Sequence, residues 1–122
     1  MNTYKFKRGT YYIGDLCYAI RNDWGDFLDT FITDGKQCRK VSFKNRDVFV
    51  GFTAYGDGCY KGSDERSYWV DAGLIGVCPI ELADLDYIKG MDGVRLVEID
   101  HDFNIVYDRG NFIIDNIQIK TR

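Results

Sequence analysis

The pattern Gly-Asp-x-Cys-Tyr occurs twice in this chain, as GDLCY at residues 14–18 and as GDGCY at residues 56–60. Each copy follows aromatic residues that are typical of a β-strand. Glycine accepts positive φ angles, and an aspartate carboxylate accepts hydrogen bonds from amides two residues on, so Gly-Asp after a strand predicts a turn. The simplest interpretation of Asp15 and Asp57 is a turn-closing carboxylate, after which Cys-Tyr begins the next strand. The residues around the two copies do not align, which argues against an internal duplication.

A third aspartate, Asp71 in the segment VDAG, interrupts an apolar, strand-like stretch. If the three bends pack side by side, their carboxylates would be walled by tyrosine rings. Such a site could hold a base, a sugar hydroxyl, a cation or an arginine of a partner. Three aspartates could also bind a divalent metal through oxygen, but no ligand spacing selects a metal, and we include none. The predicted ligand-binding residues are Asp15, Tyr18, Tyr55, Asp57, Tyr60 and Asp71.

The cysteines and the single histidine do not form a known reactive or metal-binding pattern. The cysteines are about twenty residues apart without a CxxC pair, whereas structural zinc ligands usually come in close pairs. We expect them to be free thiols that behave as small hydrophobic residues. His101, in the segment DHDFN, is predicted to lie in a hairpin turn, which disfavours a cysteine–histidine nucleophile pair. The four cysteines are Cys17, Cys38, Cys59 and Cys78.

Several function classes are disfavoured by what the sequence lacks. It contains no Walker-type phosphate loop, GxSxG elbow, HExxH helix or kinase motif set, so we predict no catalytic residue and no cofactor. The net charge is −3 and the charges of both signs are interleaved, without the basic stripe of a nucleic-acid binder. No apolar run resembles a signal peptide or a membrane span, and we therefore expect a cytoplasmic protein without membrane association.

Two helices are predicted. Trp24, Phe27, Leu28 and Phe31 recur at the spacing of one helical face, which predicts a packed helix over residues 23–34. Asp23 is placed to cap its start and Gly35 to end it. A short second helix is predicted over residues 80–88 after Pro79, with an inward face of Leu82, Leu85 and Ile88.

The rest of the chain alternates in the manner of β-strands. Val41 and Phe43 share a predicted face. The segment at residues 67–80 is mostly apolar and β-branched, and it predicts a central strand covered on both faces with an interruption near Ala72-Gly73. The last third predicts a meander of short strands. We predict one domain over residues 1–122 with an α+β, mainly β fold: a twisted antiparallel sheet or half-open barrel of about seven strands with one packed helix.

The segments YYIGDLCY, AYGDGCY and VDAGLIGVCP, in this order, resemble a family of small uncharacterised proteins from phages and bacteria. The family is similar in its IGDPCY-like opening, its YGDGxY turn and its DxGxIG strand; the resemblance spans roughly residues 10–80, with an echo in NIQIKT. Leu16 stands where the family has proline. The resemblance implies a compact β-rich domain of viral or bacterial origin and carries no activity. The matching positions are Asp15, Tyr18, Tyr55, Gly56, Asp57, Tyr60, Asp71 and Gly73.

Two functions remain after these exclusions. The first is a non-catalytic binding module, such as a phage accessory protein that binds a host protein or sequesters a small polar ligand, with a homodimer left open. It predicts an exposed apolar or tyrosine-lined patch. The alternative is a small metal-assisted hydrolase built on Asp15, Asp57 and Asp71, in which a bound cation would activate water.

Overall fold

Short β-strands make up most of the regular structure in the computed structural model, which describes residues 1–31 and 38–122. The helices are α1 (Leu16–Ala19), α2 (Trp24–Phe31) and α3 (Leu85–Ile88). The strands are β1 (Asn2–Phe6), β2 (Gly9–Gly14), β3 (Arg39–Phe43), β4 (Arg46–Phe52), β5 (Gly58–Lys61), β6 (Ser67–Val70), β7 (Leu74–Pro79), β8 (Arg95–Ile99), β9 (Phe103–Asp108), β10 (Asn111–Ile114) and β11 (Ile117–Lys120).

These strands form antiparallel sheets that do not close into a barrel, and the predicted α+β, mainly β fold is confirmed. One sheet has the order β1-β9-β10-β11, a second has the order β3-β4-β7-β2-β8, and β5 and β6 form a hairpin. The described ranges contain eleven strands against about seven predicted. The difference arises partly because β1 was not predicted, and partly because residues 67–79 form two strands in separate sheets.

The five-stranded sheet is buried on both faces at its centre. Phe49 and Val77 point into a core shared with the four-stranded sheet, whereas Val48, Val50 and Cys78 point into a second core beneath the helices. This alternation follows from the two-residue period of a strand. Every residue of β7 is buried, so the predicted central strand covered on both faces is confirmed for residues 74–79. It is wrong for residues 67–70, which form β6 of the separate hairpin and expose alternate residues.

Helix α2 confirms the predicted aromatic face within the described residues. The Phe27 ring is fully buried and lies 5.8 Å from the Trp24 ring and 5.3 Å from the Phe43 ring, centroid to centroid. Asp23 ends a 3-10 turn before the helix, and its carboxylate accepts a hydrogen bond from Lys44 Nζ at 2.7 Å. The predicted end of this helix, including the stop at Gly35, lies outside the described residues.

The predicted second helix is divided in two. Residues 80–82 form a 3-10 turn and α3 begins only after Asp84, whose carboxylate accepts a hydrogen bond from the Tyr87 amide at 3.3 Å. The division has a tertiary cause, because the Asp84 amide donates to the Ala19 carbonyl at the end of α1 at 2.8 Å. Ile88 is buried as predicted, but the inward position predicted for Leu85 is wrong, since 42% of it is exposed.

The hairpin predicted around His101 is also wrong. Strand β8 pairs with β2, whereas β9 pairs with β1 and β10, so residues 100–102 cross from one sheet to the other. His101 lies at this crossing, with Nδ1 2.8 Å from an Asp100 oxygen and Nε2 2.9 Å from an Asp115 oxygen. In the part of the chain that the structure describes, no helix has the length and apolar character needed to cross a membrane.

Candidate functional site

The first bend is fixed by a buried carboxylate. Strand β2 ends at Gly14, and Asp15 caps α1 by accepting a hydrogen bond from the Cys17 amide at 2.9 Å through Oδ1. Cys17 and Tyr18 therefore belong to a helix, and the prediction that they begin a strand is wrong. The Tyr12 hydroxyl donates to the Asp15 carbonyl at 2.5 Å, so the bend is also held from the side of the sheet.

The same carboxylate holds the third bend. Asp15 Oδ2 accepts hydrogen bonds from the amides of Asp71 and Ala72, at 2.8 and 2.7 Å. Asp15 is completely buried, and this burial raises the pKa of its carboxyl group, while the hydrogen bonds from the amides act in the opposite direction. Two bends that are 56 residues apart in sequence are therefore joined by one side chain.

The second bend lies against the third. The Thr53 amide donates to the Gly73 carbonyl at 3.1 Å, and a Cβ placed on Gly73 would be 3.9 Å from Asp57 Oδ1. Gly56 has a φ of +76°, which an L-residue adopts only with strain, and its carbonyl accepts from the Tyr60 hydroxyl at 2.8 Å. The structure thus brings the three bends together. We call residues 14–18, 55–57 and 71–73 the bend cluster.

The predicted site residues have different roles within this cluster. Asp57 and Asp71 are exposed, and Tyr55 is 76% exposed. The Tyr18 hydroxyl donates a hydrogen bond to the Asp71 carboxylate. Burial is the larger cause of a raised pKa of Tyr18, and this hydrogen bond raises the pKa further. Tyr60 packs against the core, with its hydroxyl directed to the Gly56 carbonyl. The surface that a ligand could touch therefore consists of two carboxylates and the rings of Tyr18 and Tyr55.

The predicted residue set omitted Cys17, which the structure places among the carboxylates. Burial raises the pKa of this thiol, and the negative charges of Asp15, Asp71 and Asp57 raise it further. The thiol is therefore held in its protonated form, which is a poor nucleophile. The sequence motif could have indicated this position. An N-capping aspartate accepts a hydrogen bond from the amide two residues on, so Cys17 is expected to lie beside Asp15.

The arrangement offers little to the hydrolase alternative. Both oxygens of Asp15 accept hydrogen bonds from backbone amides, so this carboxylate already has a structural role. Within residues 1–31 and 38–122, no three His, Cys, Asp or Glu side chains are grouped so that they could hold a metal ion. The cluster exposes negative charge and aromatic surface.

No protein-family model, curated protein or solved structure matches this chain. The resemblance to small phage and bacterial proteins stays a prediction.

Proposed function

We propose that this protein is a non-catalytic binding module whose binding surface is the bend cluster. The observation that carries the proposal is the exposure of Asp57, Asp71 and Tyr55 on two bends that hydrogen bonds hold in place. The buried Asp15 carboxylate holds the bend at Asp71, and hydrogen bonds of Thr53 and Tyr60 hold the bend at Asp57. Because the backbone of these bends is already fixed, ligand binding costs little further backbone entropy, which favours affinity.

The charge of the cluster indicates the ligand chemistry. Neither Asp57 nor Asp71 forms an ion pair with any lysine or arginine in the described ranges. A cation would gain the attraction of both carboxylates, and the Tyr55 ring could add a cation–π contact of about 0.5–1 kcal/mol. The ligand class that fits is a polar, positively charged group, such as a guanidinium or an ammonium.

A host protein is the first partner to seek, and a small polar ligand is the second. The resemblance to phage and bacterial proteins supports a phage accessory protein that presents the bend cluster to a basic surface of its host. An arginine on such a surface could bind a carboxylate in bidentate fashion, which adds geometric specificity to the charge attraction. A small cationic ligand would use the same two carboxylates.

Capture from a bacterial lysate on immobilised protein, with mass spectrometry of retained proteins and of small molecules released by denaturation, tests this proposal. The deciding comparison is between the wild type and the double variant Asp57→Asn/Asp71→Asn. We expect the amount of each specifically retained species to fall about tenfold or more with the double variant. The reason is that a pair of exposed charges contributes on the order of 1–2 kcal/mol to binding.

The matched control is Asp29→Asn/Asp92→Asn, which makes the same chemical change at two exposed acids outside the cluster. Its retained species should equal those of the wild type. The proposal is overturned if both double variants lose binding equally, because the effect would then reflect net charge. It is also overturned if wild type and Asp57→Asn/Asp71→Asn retain the same species in the same amounts.

A further inference from the structure

The two large sheets leave a seam between the edge strands β8 and β11, and the β5–β6 hairpin closes one part of it. On the β11 side, Gly62 bridges to Ile119 and the Ser63 amide donates to the Gln118 carbonyl at 2.8 Å. On the β8 side, the Trp69 amide donates to the Gly93 carbonyl at 2.9 Å. The buried side chains of Tyr68 and Val70 complete the shared core beneath the hairpin.

Beyond the hairpin, the seam is an open groove of about 250 Å³. Its floor is apolar, formed by the buried side chains of Ile99 and Ile117 and the half-buried side chain of Val97. One wall is β8, which is hydrogen-bonded to β2 on one side and to no other strand of the described chain. In an antiparallel strand, alternate residues direct their N–H and C=O groups to the same side, so β8 offers backbone donors and acceptors to this groove.

The rim of the groove is acidic. Glu98, Asp100 and Asp115 lie along it. The cations there are already engaged, because Arg95 is 2.8 Å from an Asp64 oxygen and His101 bridges Asp100 and Asp115. Glu98 is exposed and forms no ion pair within residues 1–31 and 38–122. A segment that enters this groove therefore meets an excess of negative charge.

We propose that this groove accepts an extended, basic segment of a partner protein, which adds to β8 as a sixth strand of the five-stranded sheet. The side chains of β8 alternate between a buried inner face and an exposed outer face, and this alternation specifies the sequence of the added strand. Side chains on the inner face of the added strand would pack on Val97 and Ile99, and those on its outer face would lie beside Glu98. The fitting sequence alternates apolar and basic side chains. A basic residue opposite Glu98 adds a cross-strand charge pair.

Hydrogen exchange measured by NMR on the full chain tests this proposal, with a blocked heptapeptide of alternating lysine and valine as the probe. We expect the exposed amides of β8 to exchange about tenfold more slowly in the presence of the peptide, because strand addition satisfies them. A glutamate–valine heptapeptide should protect them far less, and a lysine–valine peptide with alternate N-methylated residues should not protect them.

The variant Glu98→Lys should weaken binding of the lysine–valine peptide about tenfold, whereas Asp29→Lys, on the exposed face of α2, should leave it unchanged. Absence of slowed exchange at millimolar peptide overturns the proposal. Equal protection by the N-methylated peptide also overturns it, because binding would then need only side chains. Protection that grows with protein concentration without peptide identifies a second copy of this chain as the occupant and overturns the assignment to a partner segment.

Discussion

Asp15 and Asp57 occupy the same place in the two copies of Gly-Asp-x-Cys-Tyr, yet one carboxylate is fully buried and the other is exposed. Asp15 caps α1 and binds two amides of a distant bend, whereas Asp57 lies beside Gly73 at the surface. The local motif dictates a bend in both copies. What surrounds the bend decides whether its carboxylate stabilises the fold or remains available to a ligand.

The largest expected difference between the copies is in stability. Asp15→Ala leaves three backbone amides without their acceptor and should lower the free energy of unfolding by about 3 kcal/mol. Asp57→Ala should change it by less than about 0.5 kcal/mol, as is usual at an exposed position. Urea unfolding of both variants measures the difference. Equal losses would show that Asp57 has a structural role comparable to that of Asp15.

The glycines that precede the two aspartates should also differ. A Cβ on Gly14 would lie 2.9 Å from the Tyr12 hydroxyl oxygen and 3.2 Å from a Val94 methyl carbon, so Gly14→Ala should cost about 2–3 kcal/mol. A Cβ on Gly56 would have no neighbour within 4 Å, and Gly56→Ala should cost about 1 kcal/mol through its φ alone. Thermal unfolding compares the two. A greater loss for Gly56→Ala would contradict the assignment of the first bend as the tightly packed one.

The two cysteines of the motif should react at different rates with iodoacetamide. Cys59 is exposed, whereas Cys17 is half-buried and has a pKa raised by burial and by three neighbouring carboxylates. We expect Cys59 to be alkylated at least about tenfold faster near neutral pH, because the thiolate is the reactive form. Peptide mass spectrometry over time measures both sites in one sample. Faster labelling of Cys17 would mean that the first bend opens readily.

The smallest expected effect is a pH dependence from Asp15. Its carboxyl pKa is higher in the folded chain than in the unfolded chain, so the folded state binds this proton more strongly. The resulting stabilisation is complete below the unfolded pKa of about 3.9 and is lost as the pH rises through the folded pKa. The stability difference between wild type and Asp15→Ala should therefore narrow as the pH rises through this window. A stability difference that widens as the pH rises would show that folding lowers the pKa of Asp15.

Sequence reasoning succeeded where a periodic pattern matched the local structure. The aromatic face of α2 and the apolar run of β7 were predicted because burial imposes the period of a helix or the continuous apolar character of a central strand. The predicted ligand site required the three bends to lie side by side, and the structure brings them together. Their role in ligand binding stays a prediction.

The failures have tertiary causes. Helix α1 has four residues, too few for a periodic signal, and Asp15 is bound by amides 56 and 57 residues away. The hairpin predicted around His101 failed because β8 and β9 are adjacent in sequence but pair in different sheets. Sequence order does not distinguish a turn within one sheet from a crossing between two sheets.

The pairing of β1 has a consequence for biosynthesis. Asn2 is aligned with Tyr107 and Phe6 with Phe103, so β1 leaves the ribosome long before β9, the strand with which it pairs. Until then its backbone is unpaired and open to association with other nascent chains. Such distant pairing is typical of slowly folding β-proteins. We therefore expect the sheet of β1 and β9 to form only after β9 has been translated, and chaperones to bind the unpaired β1 until then.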